Sequence, residues 1–426
     1  MKTGYSQKKC GLLGEHLSHS FSPLIHGMLA DYEYKIYDVE PQNLESFVKD
    51  GSLDAFNVTI PYKKAVIPFL DEISPEALSI GAINVVVRKN GKLCGYNTDY
   101  FGFAYMLDSA KVCVKGKKAL LFGNGGAAAT IKAVLVDKEI GELVVIDKDD
   151  NTPENLALHA DASVIVNASP IGMYPNNRRA VVDLSLFPKC EAVLDIVYNP
   201  ARTELILQAE RLGITAVSGL SMLVAQAARG FELFTGEKYE DGIIEKIIDR
   251  ICRDTQNIIL VGMPSCGKST VGSLLADTLS RRFFDADGEF EKMHSLTPAT
   301  AINTLGEAKF RDMEAITLSE LGKSSGNVIA TGGGAVTREE NYPSLHQNGV
   351  IVYLKRDIEK LSTDGRPLSQ KGSLAELYEK RKHAYERFAD ITVENNGTPE
   401  DTAKAILDAL QNFIYSCVYQ SKKENN

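Results

Sequence analysis

Short apolar runs alternate with amphipathic stretches along almost the whole chain, the pattern of an α/β protein with largely parallel sheets. From Lys9 to Asp99, Leu12-Leu13, Tyr34 to Val39 and Ala55 to Ile60 read as strands, separated by helical stretches from about Ser22 to Asp31 and from Leu44. A strand over Leu93 to Tyr96 closes this unit. The next opens with a strand at Ala119 to Phe122, a helix through Val136 and a strand at Leu143 to Ile146. Strands at Ser163 to Val166 and Ala192 to Asp195 and a helix at Thr203 to Leu212 follow. Amphipathic helices over Ser221 to Phe234 and Asp241 to Arg253 lead, across only Asp254 to Asn257, to the apolar run Ile258 to Val261. Beyond it come a helix at Thr270 to Leu279, strands at Val328 to Ala330 and Val350 to Leu354, and helices at Ser373 to Phe388 and Pro399 to Tyr415. The expected organisation is a substrate-type α/β domain over 1–98, completed by helices at about 221–253, and a Rossmann-like domain over 99–220. A P-loop domain with a parallel sheet over 256–415 and a polar tail over 416–426 complete it.

Two stretches carry glycines where a strand meets a helix. Gly262-Met263-Pro264-Ser265-Cys266-Gly267-Lys268-Ser269, between a buried strand and a helix, is a complete phosphate-binding P-loop. Its backbone N–H groups turn toward phosphate oxygens at the positive end of the helix. Gly262, Ser265, Cys266, Gly267, Lys268, Ser269 and Thr270 are the candidates for a nucleoside triphosphate, with Lys268 reaching the terminal phosphates and Ser269 the Mg²⁺. Gly123-Asn124-Gly125-Gly126-Ala127-Ala128 follows the strand Ala119 to Phe122, and Asp147 ends the next strand, which makes a dinucleotide fingerprint. Ala128 stands at the third glycine position, where helix–strand packing tolerates it. Cys266 inside the P-loop reads either as a small residue filling a tight turn or as a thiol ionised by its surroundings.

Three polar clusters stand at element ends in the first unit: His19-Ser20-Phe21-Ser22-Pro23, Asn57 to Lys63, and Asn84 with Tyr96-Asn97-Thr98-Asp99. Hydroxyls, amides and an ammonium in such places suit a polyhydroxylated ligand. The plainer readings are a serine N-cap with Pro23 in the first helical turn, and Asp99 as the cap of a helix from Tyr100. If Lys63 and Asp99 share a pocket, they form a proton-transfer pair.

Composition narrows the function classes. A chain of 426 residues exceeds one ordinary core. Its net charge of −9 argues against nucleic acid or an anionic membrane as the main partner. The 7 cysteines are scattered without paired spacing and the 7 histidines lack metal-ligand spacing, so reduced thiols and a cytoplasmic protein are expected. Met1 to Lys9 has no apolar core of signal-peptide length, and no run approaches a membrane span.

The clusters above, with Gly81 to Asn84, Asn167 to Met173, Asp195 to Pro200 and Gly219 to Ala227, resemble shikimate dehydrogenase over residues 9 to about 253. The P-loop, Asp285-Ala286-Asp287, Phe310-Arg311, Gly332 to Gly334, Arg366-Pro367-Leu368 and Arg381 to Tyr385 resemble shikimate kinase over residues 256 to about 415. The first resemblance implies Lys63 and Asp99 as the catalytic pair. Ser20, Ser22, Thr59, Asn84, Asp99, Tyr198 and Gln226 would hold shikimate or 3-dehydroshikimate. Gly123, Asn124, Gly125, Gly126, Ala127, Asp147, Lys148, Gly219 and Met222 would lie on NADP or NAD. The second implies Asp287 as orienter or base and Arg311 and Arg381 on the substrate carboxylate. Gly332, Gly333 and Gly334 would act as backbone donors, Lys268 and lid residue Arg366 would lie on the transferring phosphoryl group of ATP, and Ser269 and Asp285 on Mg²⁺. The implied activity is bifunctional: reduction of 3-dehydroshikimate to shikimate, then phosphorylation to shikimate 3-phosphate. The partners are small molecules and nucleotides, with homodimerisation open. A quinate-using dehydrogenase and a non-catalytic sensor of such metabolites are the alternatives.

The chain departs from the pattern of these families in three places. Asp147-Lys148-Asp149 stands where an Asn-Arg-Thr type motif grips a 2′-phosphate, which leans toward NAD. The stretch from there to Val166 is short. The lid at Asp357 to Gly372 is abbreviated, with Ser369 replacing an apolar residue.

Overall fold

The computed structural model describes residues 2–15, 17, 20–361, 374–413 and 418–419. His19 and the lid positions Arg366, Pro367, Leu368 and Ser369 lie outside the described residues. The chain divides into two units, one comprising 1–199, 205–250 and 416–426, the other 200–204 and 251–415.

The first unit holds two six-stranded sheets. The N-terminal sheet is built from β1 (Lys9–Gly14), β2 (Glu33–Asp38), β3 (Ala55–Val58), β4 (Glu72–Ile73), β5 (Val85–Lys89) and β6 (Lys92–Tyr96), in the order β2-β1-β3-β5-β6-β4. β1 runs parallel to β2 and β3, and β5 runs antiparallel to β3 and β6. Leu13, Phe56, Val58, Ile83 and Val86 are buried in one core on this sheet. The strands end on the polar clusters, so Asn57, Thr59 and Asn97 are placed by the pleat that buries their apolar neighbours.

The second sheet comprises β7 (Lys118–Phe122), β8 (Glu142–Ile146), β9 (Val164–Asn167), β10 (Ala192–Asp195) and β11 (Thr215–Ser218), all parallel, in the order β8-β7-β9-β10-β11. The stretch between β8 and β9 forms only the helix Pro153–Ala157, capped by Thr152, and adds no strand. β8 is therefore the edge of the sheet, and the order reverses between β7 and β9. A dinucleotide crevice forms at such a switch point. On the opposite edge, β17 (Val418–Tyr419) pairs antiparallel with Ala216 and Val217 of β11. This corrects the expectation of a plain polar tail over 416–426: the exposed edge of β11 offers unpaired backbone groups, and a short strand takes them.

Two capping expectations also change. The helix Ser22–Leu29 has Phe21 at its cap position, and no side chain caps it there; Ser22 N–H donates to Ser20 Oγ at 3.2 Å instead. The helix Asp99–Ser109 starts at Asp99 itself, and Asn97 Oδ1 accepts from Tyr100 N–H at 3.2 Å. Asn97 provides the turn, which leaves the Asp99 carboxylate for another partner.

The second unit has one five-stranded parallel sheet, β12 (Asn257–Val261), β13 (Phe283–Asp285), β14 (Val328–Ala330), β15 (Gly349–Lys355) and β16 (Ile391–Glu394), in the order β13-β14-β12-β15-β16. The central β12 is buried on every residue, as its unbroken Ile/Leu/Val run requires of a strand covered on both faces. Its core joins Ile259, Leu260, Val352, Leu275, Leu318 and Ile406. Residues 200–204 belong to this unit: Arg202 is buried and donates to the His346 carbonyl at 3.1 Å.

Candidate active sites

In the first unit, Lys63 leads out of the short helix Tyr62–Ala65 and Asp99 begins the helix Asp99–Ser109. Lys63 Nζ donates to Asp99 Oδ2 at 2.6 Å, with the side chains only 17% and 8% exposed. A pair so sheltered keeps its charges close and poorly screened. Beside it, Asn84, Thr98 and Gln226 form a closed amide–hydroxyl cluster. Thr98 N–H donates to Asn84 Oδ1 at 2.6 Å, Asn84 Nδ2 to Thr98 Oγ1 at 3.0 Å, and Thr98 Oγ1 to Gln226 Oε1 at 3.2 Å. Gln226 reaches in because Gly102 lets its helix approach: a Cβ on Gly102 would lie 2.6 Å from the Met222 carbonyl oxygen.

Farther out, Ser20 Oγ donates to Ser22 Oγ at 3.1 Å, and Phe21 packs on the Tyr198 ring at 5.5 Å between centroids. Burial raises the Tyr198 phenol pKa above its ordinary value. Thr59 stands at the end of β3, with its methyl 2.6 Å from where a Gly14 Cβ would be. Behind this wall His26 stacks on Tyr34 at 4.0 Å, and the Tyr34 hydroxyl donates to Asn57 Oδ1 at 2.8 Å. Burial pushes His26 down to about 3, so the ring is neutral scaffolding rather than a proton donor.

The glycine turn after β7 comes close to the Lys63 stem. Gly123 has φ +111°, and a Cβ there would stand 3.0 Å from the Ala168 carbonyl oxygen, so the loops after β7 and β9 meet at the switch point. Nothing lies within 4 Å of the Cβ position of Gly125, and the helix Gly126–Asp137 starts with no side-chain cap. Open N–H groups at a helix start fit a pyrophosphate. A Cβ on Gly126 would come 3.6 Å from Lys63 Cβ, which puts the fingerprint beside the stem of the lysine that pairs with Asp99. Gly219 is required for space, since its Cβ would fall 2.0 Å from the Ile196 carbonyl oxygen; Met222 is buried in the next helical turn. Asp147 follows β8, and its Oδ1 accepts from Lys148 N–H at 2.7 Å.

In the second unit the P-loop leaves β12 with Gly262 at φ +151°, Ser265 at +62° and Gly267 at +94°. Lys268 is buried and donates to the Gly262 and Met263 carbonyls at 3.0 and 2.9 Å, folded back over the loop. The helix Lys268–Leu279 has no side-chain cap, which again suits phosphate. Ser269 Oγ hydrogen-bonds the Asp285 carboxylate, and Asp285 Oδ1 accepts from Asp287 N–H at 3.0 Å. A hydroxyl and a carboxylate in contact beside a phosphate loop fit a hard cation such as Mg²⁺.

Next to them lies a charged pocket. Arg311 Nη1 donates to Glu314 Oε2 at 2.6 Å, both side chains at most 10% exposed. Arg381 Nη1 donates to the Gly333 carbonyl at 3.0 Å, and Tyr385 hydroxyl donates to the same oxygen. A Cβ on Gly332 would lie 2.7 Å from Glu314 Oε1 and 3.4 Å from Asp287 Oδ1, and one on Gly334 would overlap the Arg311 guanidinium at 2.1 Å. The glycines are thus the floor under a ring of Asp287, Arg311, Glu314 and Arg381. Burial raises the Glu314 carboxyl pKa, and the adjacent Arg311 pulls it the other way.

Residues 12–86 match the family model for the shikimate dehydrogenase substrate binding domain, residues 219–239 that for the shikimate 5′-dehydrogenase C-terminal domain, and residues 264–411 that for shikimate kinase. A shikimate dehydrogenase (NADP(+)) from Chlorobaculum tepidum is 35% identical over 288 residues, covering 58% of this chain and 97% of that protein. The chain belongs to the shikimate dehydrogenase family. Behind that part it carries a shikimate kinase domain. Shikimate dehydrogenase 1 from Peptoclostridium difficile superposes with a TM-score of 0.53 at 34% identity, covering 57% of this chain and 97% of that one. The shikimate 5-dehydrogenase from Thermus thermophilus, solved in complex with NADP(H) and shikimate, gives 0.52 at 29% identity, covering 57% and 99%.

Within the dehydrogenase part Lys63 and Asp99 are in contact, the glycine turn lies beside the Lys63 stem, Asn84 and Gln226 are joined through Thr98, and Tyr198 packs on Phe21 of the Ser20–Ser22 segment. Within the kinase domain Lys268, Ser269, Asp285, Asp287, Arg311, Gly332 to Gly334 and Arg381 come together, and Arg366 lies outside the described residues. Thr98, which the sequence placed in a polar cluster without a role of its own, bridges Asn84 and Gln226. One residue of these sites escaped sequence reasoning. Glu314 pairs with Arg311, and the signal was present in their i,i+3 spacing on one helix face.

Among the described residues no three His, Cys, Asp or Glu side chains cluster as a metal site, and no helix is long and apolar enough to cross a membrane. Cys266 is fully buried within the P-loop, which favours the space-filling reading.

Proposed function

We propose that this chain carries out two consecutive reactions, reduction of 3-dehydroshikimate to shikimate with a nicotinamide cofactor and phosphorylation of shikimate by Mg·ATP. The observation that carries the reading is that Lys63 donates to Asp99 at 2.6 Å while its stem lies beside the dinucleotide turn, Lys63 Cβ standing 3.6 Å from the position a Cβ on Gly126 would take. An ammonium at that place sits where charge develops on a carbonyl oxygen beside the cofactor.

The nicotinamide, when bound, supplies the hydride. Lys63 stabilises the oxygen that becomes an alkoxide and delivers its proton, while Asp99 holds the ammonium in place and accepts from a ring hydroxyl. Asn84, Thr98 and Gln226 read further hydroxyls, and Ser20, Ser22, Thr59 and Tyr198 close the carboxylate side. The neutral amide cluster offers both donors and acceptors, as a polyol requires.

In the kinase domain Arg311 and Arg381 take the substrate carboxylate through their planar forks. Asp287 orients the attacking hydroxyl and accepts its proton. Lys268 swings from the loop carbonyls to the phosphates, and Ser269 with Asp285 would hold Mg²⁺, which supplies charge neutralisation there. The sensor alternative would need no paired Lys63 and Asp99, and their contact speaks for catalysis.

The test is incubation of the full chain with 3-dehydroshikimate, NADH or NADPH, and Mg·ATP, with products followed by mass. Formation of shikimate and then a species heavier by one phosphoryl group is expected. Absence of both reduction and phosphorylation refutes the reading, and turnover of quinate alone redirects the first half.

A further inference from the structure

The fingerprint turn fits a dinucleotide, but the geometry that cradles a pyrophosphate is common to both nicotinamide cofactors. They differ only at the adenosine ribose, one carrying a free 2′-hydroxyl and the other a 2′-phosphate. That end lies over the tip of the strand after the glycine turn. Here the strand is β8, the sheet edge, and the turn over residues 147–152 follows its tip.

The turn begins with Asp147, whose two carboxylate oxygens are held separately. Oδ1 accepts from Lys148 N–H at 2.7 Å and Oδ2 from Asn124 Nδ2 at 3.4 Å. Asn124 belongs to the glycine turn itself, so this bond aims the carboxylate back over the cofactor track. Asp147 remains exposed, with lone pairs left to accept from a ligand. Asp149 and Asp150 follow, answered within the turn only by Lys148, and all three are exposed. Asn151 Nδ2 donates to the Val181 carbonyl at 2.9 Å, which brings the segment bearing the exposed Arg178 and Arg179 to the same flank.

We propose that Asp147 is the residue that selects the cofactor, accepting the ribose diol of NAD(H) and repelling the 2′-phosphate of NADP(H). The inference rests on the dehydrogenase reading above. A 2′-phosphate carries about two negative charges at neutral pH, and it would enter a turn already richer in carboxylates than in cations. The relative from Chlorobaculum tepidum is named for NADP(+), so this chain departs from it in the cofactor it favours. Because the turn is exposed, the repulsion is screened by salt and the discrimination shrinks as ionic strength rises.

Equilibrium binding of NADH and NADPH to the full-length protein, followed by reduced-nicotinamide fluorescence, tests this without turnover. The wild type is expected to bind NADH at least about tenfold more tightly than NADPH, a ratio that like-charge opposition readily supplies. Asp147→Ser should weaken NADH and strengthen NADPH until the ratio falls to about one or inverts, and Asp147→Asn should do so in part, with kinase activity retained as the sign of a folded chain. NADPH binding as tight as NADH in the wild type overturns the inference, as does a ratio unmoved by Asp147→Ser. If NADPH is favoured and Arg178→Ala with Arg179→Ala abolishes the preference, the arginines rule the site and the inference falls. Binding of neither cofactor removes the dehydrogenase reading together with it, which separates the two failures.

Discussion

Replacing Lys63 by methionine removes one ammonium and little else. The stem of Lys63 lines the dinucleotide turn, its Cβ and Cδ lying 3.6 and 3.7 Å from the Cβ position of Gly126, and an unbranched methionine can preserve that contact. The Nζ bond to Asp99 at 2.6 Å is lost, leaving a carboxylate only 8% exposed without its cation. Breaking a fully buried pair costs about 3–5 kcal/mol. Lys63 is 17% exposed, so water can enter, and a stability loss of about 2–3 kcal/mol is expected. Loss of a positioned proton donor lowers turnover by about 10²–10⁴-fold, roughly 3–5 kcal/mol of barrier. The assay is steady-state oxidation of the reduced cofactor with 3-dehydroshikimate, with shikimate-dependent ADP release measured on the same sample. Kinase turnover should be unchanged and the cofactor Kd should move by less than about threefold. The Lys63→Met/Asp99→Asn double variant should lose little more than either single one, since paired residues acting as a unit are strongly non-additive. Dehydrogenase turnover within about tenfold of wild type would refute the assigned role.

Gly334→Ala should raise the KM of the kinase for shikimate by at least about tenfold and leave that for ATP unchanged, because its Cβ falls 2.1 Å from the Arg311 guanidinium and must displace it. Initial rates at varied shikimate and fixed ATP check this, and an unchanged KM contradicts the placement of Arg311. His26 gives a pH signature. Its folded value of about 3 lies below the ordinary 6.5, so the unfolded chain binds the extra proton between those values. Its contribution to stability is present above pH 6.5 and is lost as pH falls toward 3, by about 2 kcal/mol between pH 6.5 and 5. His26→Phe keeps the stacking on Tyr34 and cannot titrate, so its urea midpoint should depend less on pH over that interval; equal dependence would assign the effect elsewhere.

The parts of this molecule that were legible in the sequence are those whose chemistry is local. A phosphate loop needs its glycines, its lysine and its helix within a few residues, and both loops could be read in full. The Lys63–Asp99 pair spans 36 residues, and on local grounds Asp99 is an equally good helix cap. Only the fold shows that Asn97 supplies the turn and frees Asp99. The strand Val418–Tyr419 was illegible for a related reason. A two-residue strand has no periodicity, and what forms it is the unsatisfied edge of β11, some two hundred residues earlier. The exclusion of a strand between β8 and β9 was foreshadowed by the short connection, whereas its consequence, β8 as the sheet edge, required the pairing pattern.

The two candidate pockets read what would be one molecule by opposite means. In the dehydrogenase part the side chains proposed to read hydroxyls are neutral, Asn84, Thr98 and Gln226, and they already bond to one another. A ligand there exchanges hydrogen bonds of similar kind, so binding gains little from each and depends on fitting several at once. In the kinase domain Arg311 arrives pre-paired with buried Glu314, and Asp287 stands near the same Cβ position of Gly332 as Glu314 does. A carboxylate ligand must therefore compete with Glu314 for one face of the guanidinium, and it gains from geometry rather than from an excess of positive charge. Burial that already raises the Glu314 carboxyl pKa favours its protonation as a second carboxylate approaches the same arginine. Shikimate binding to the kinase domain is therefore expected to be accompanied by proton uptake at Glu314. It should weaken as pH rises, and Glu314→Gln should flatten that dependence in calorimetric titrations run in buffers of different ionisation enthalpy. Identical proton uptake in the wild type and Glu314→Gln would show that the pocket discharges its carboxylates in some other way.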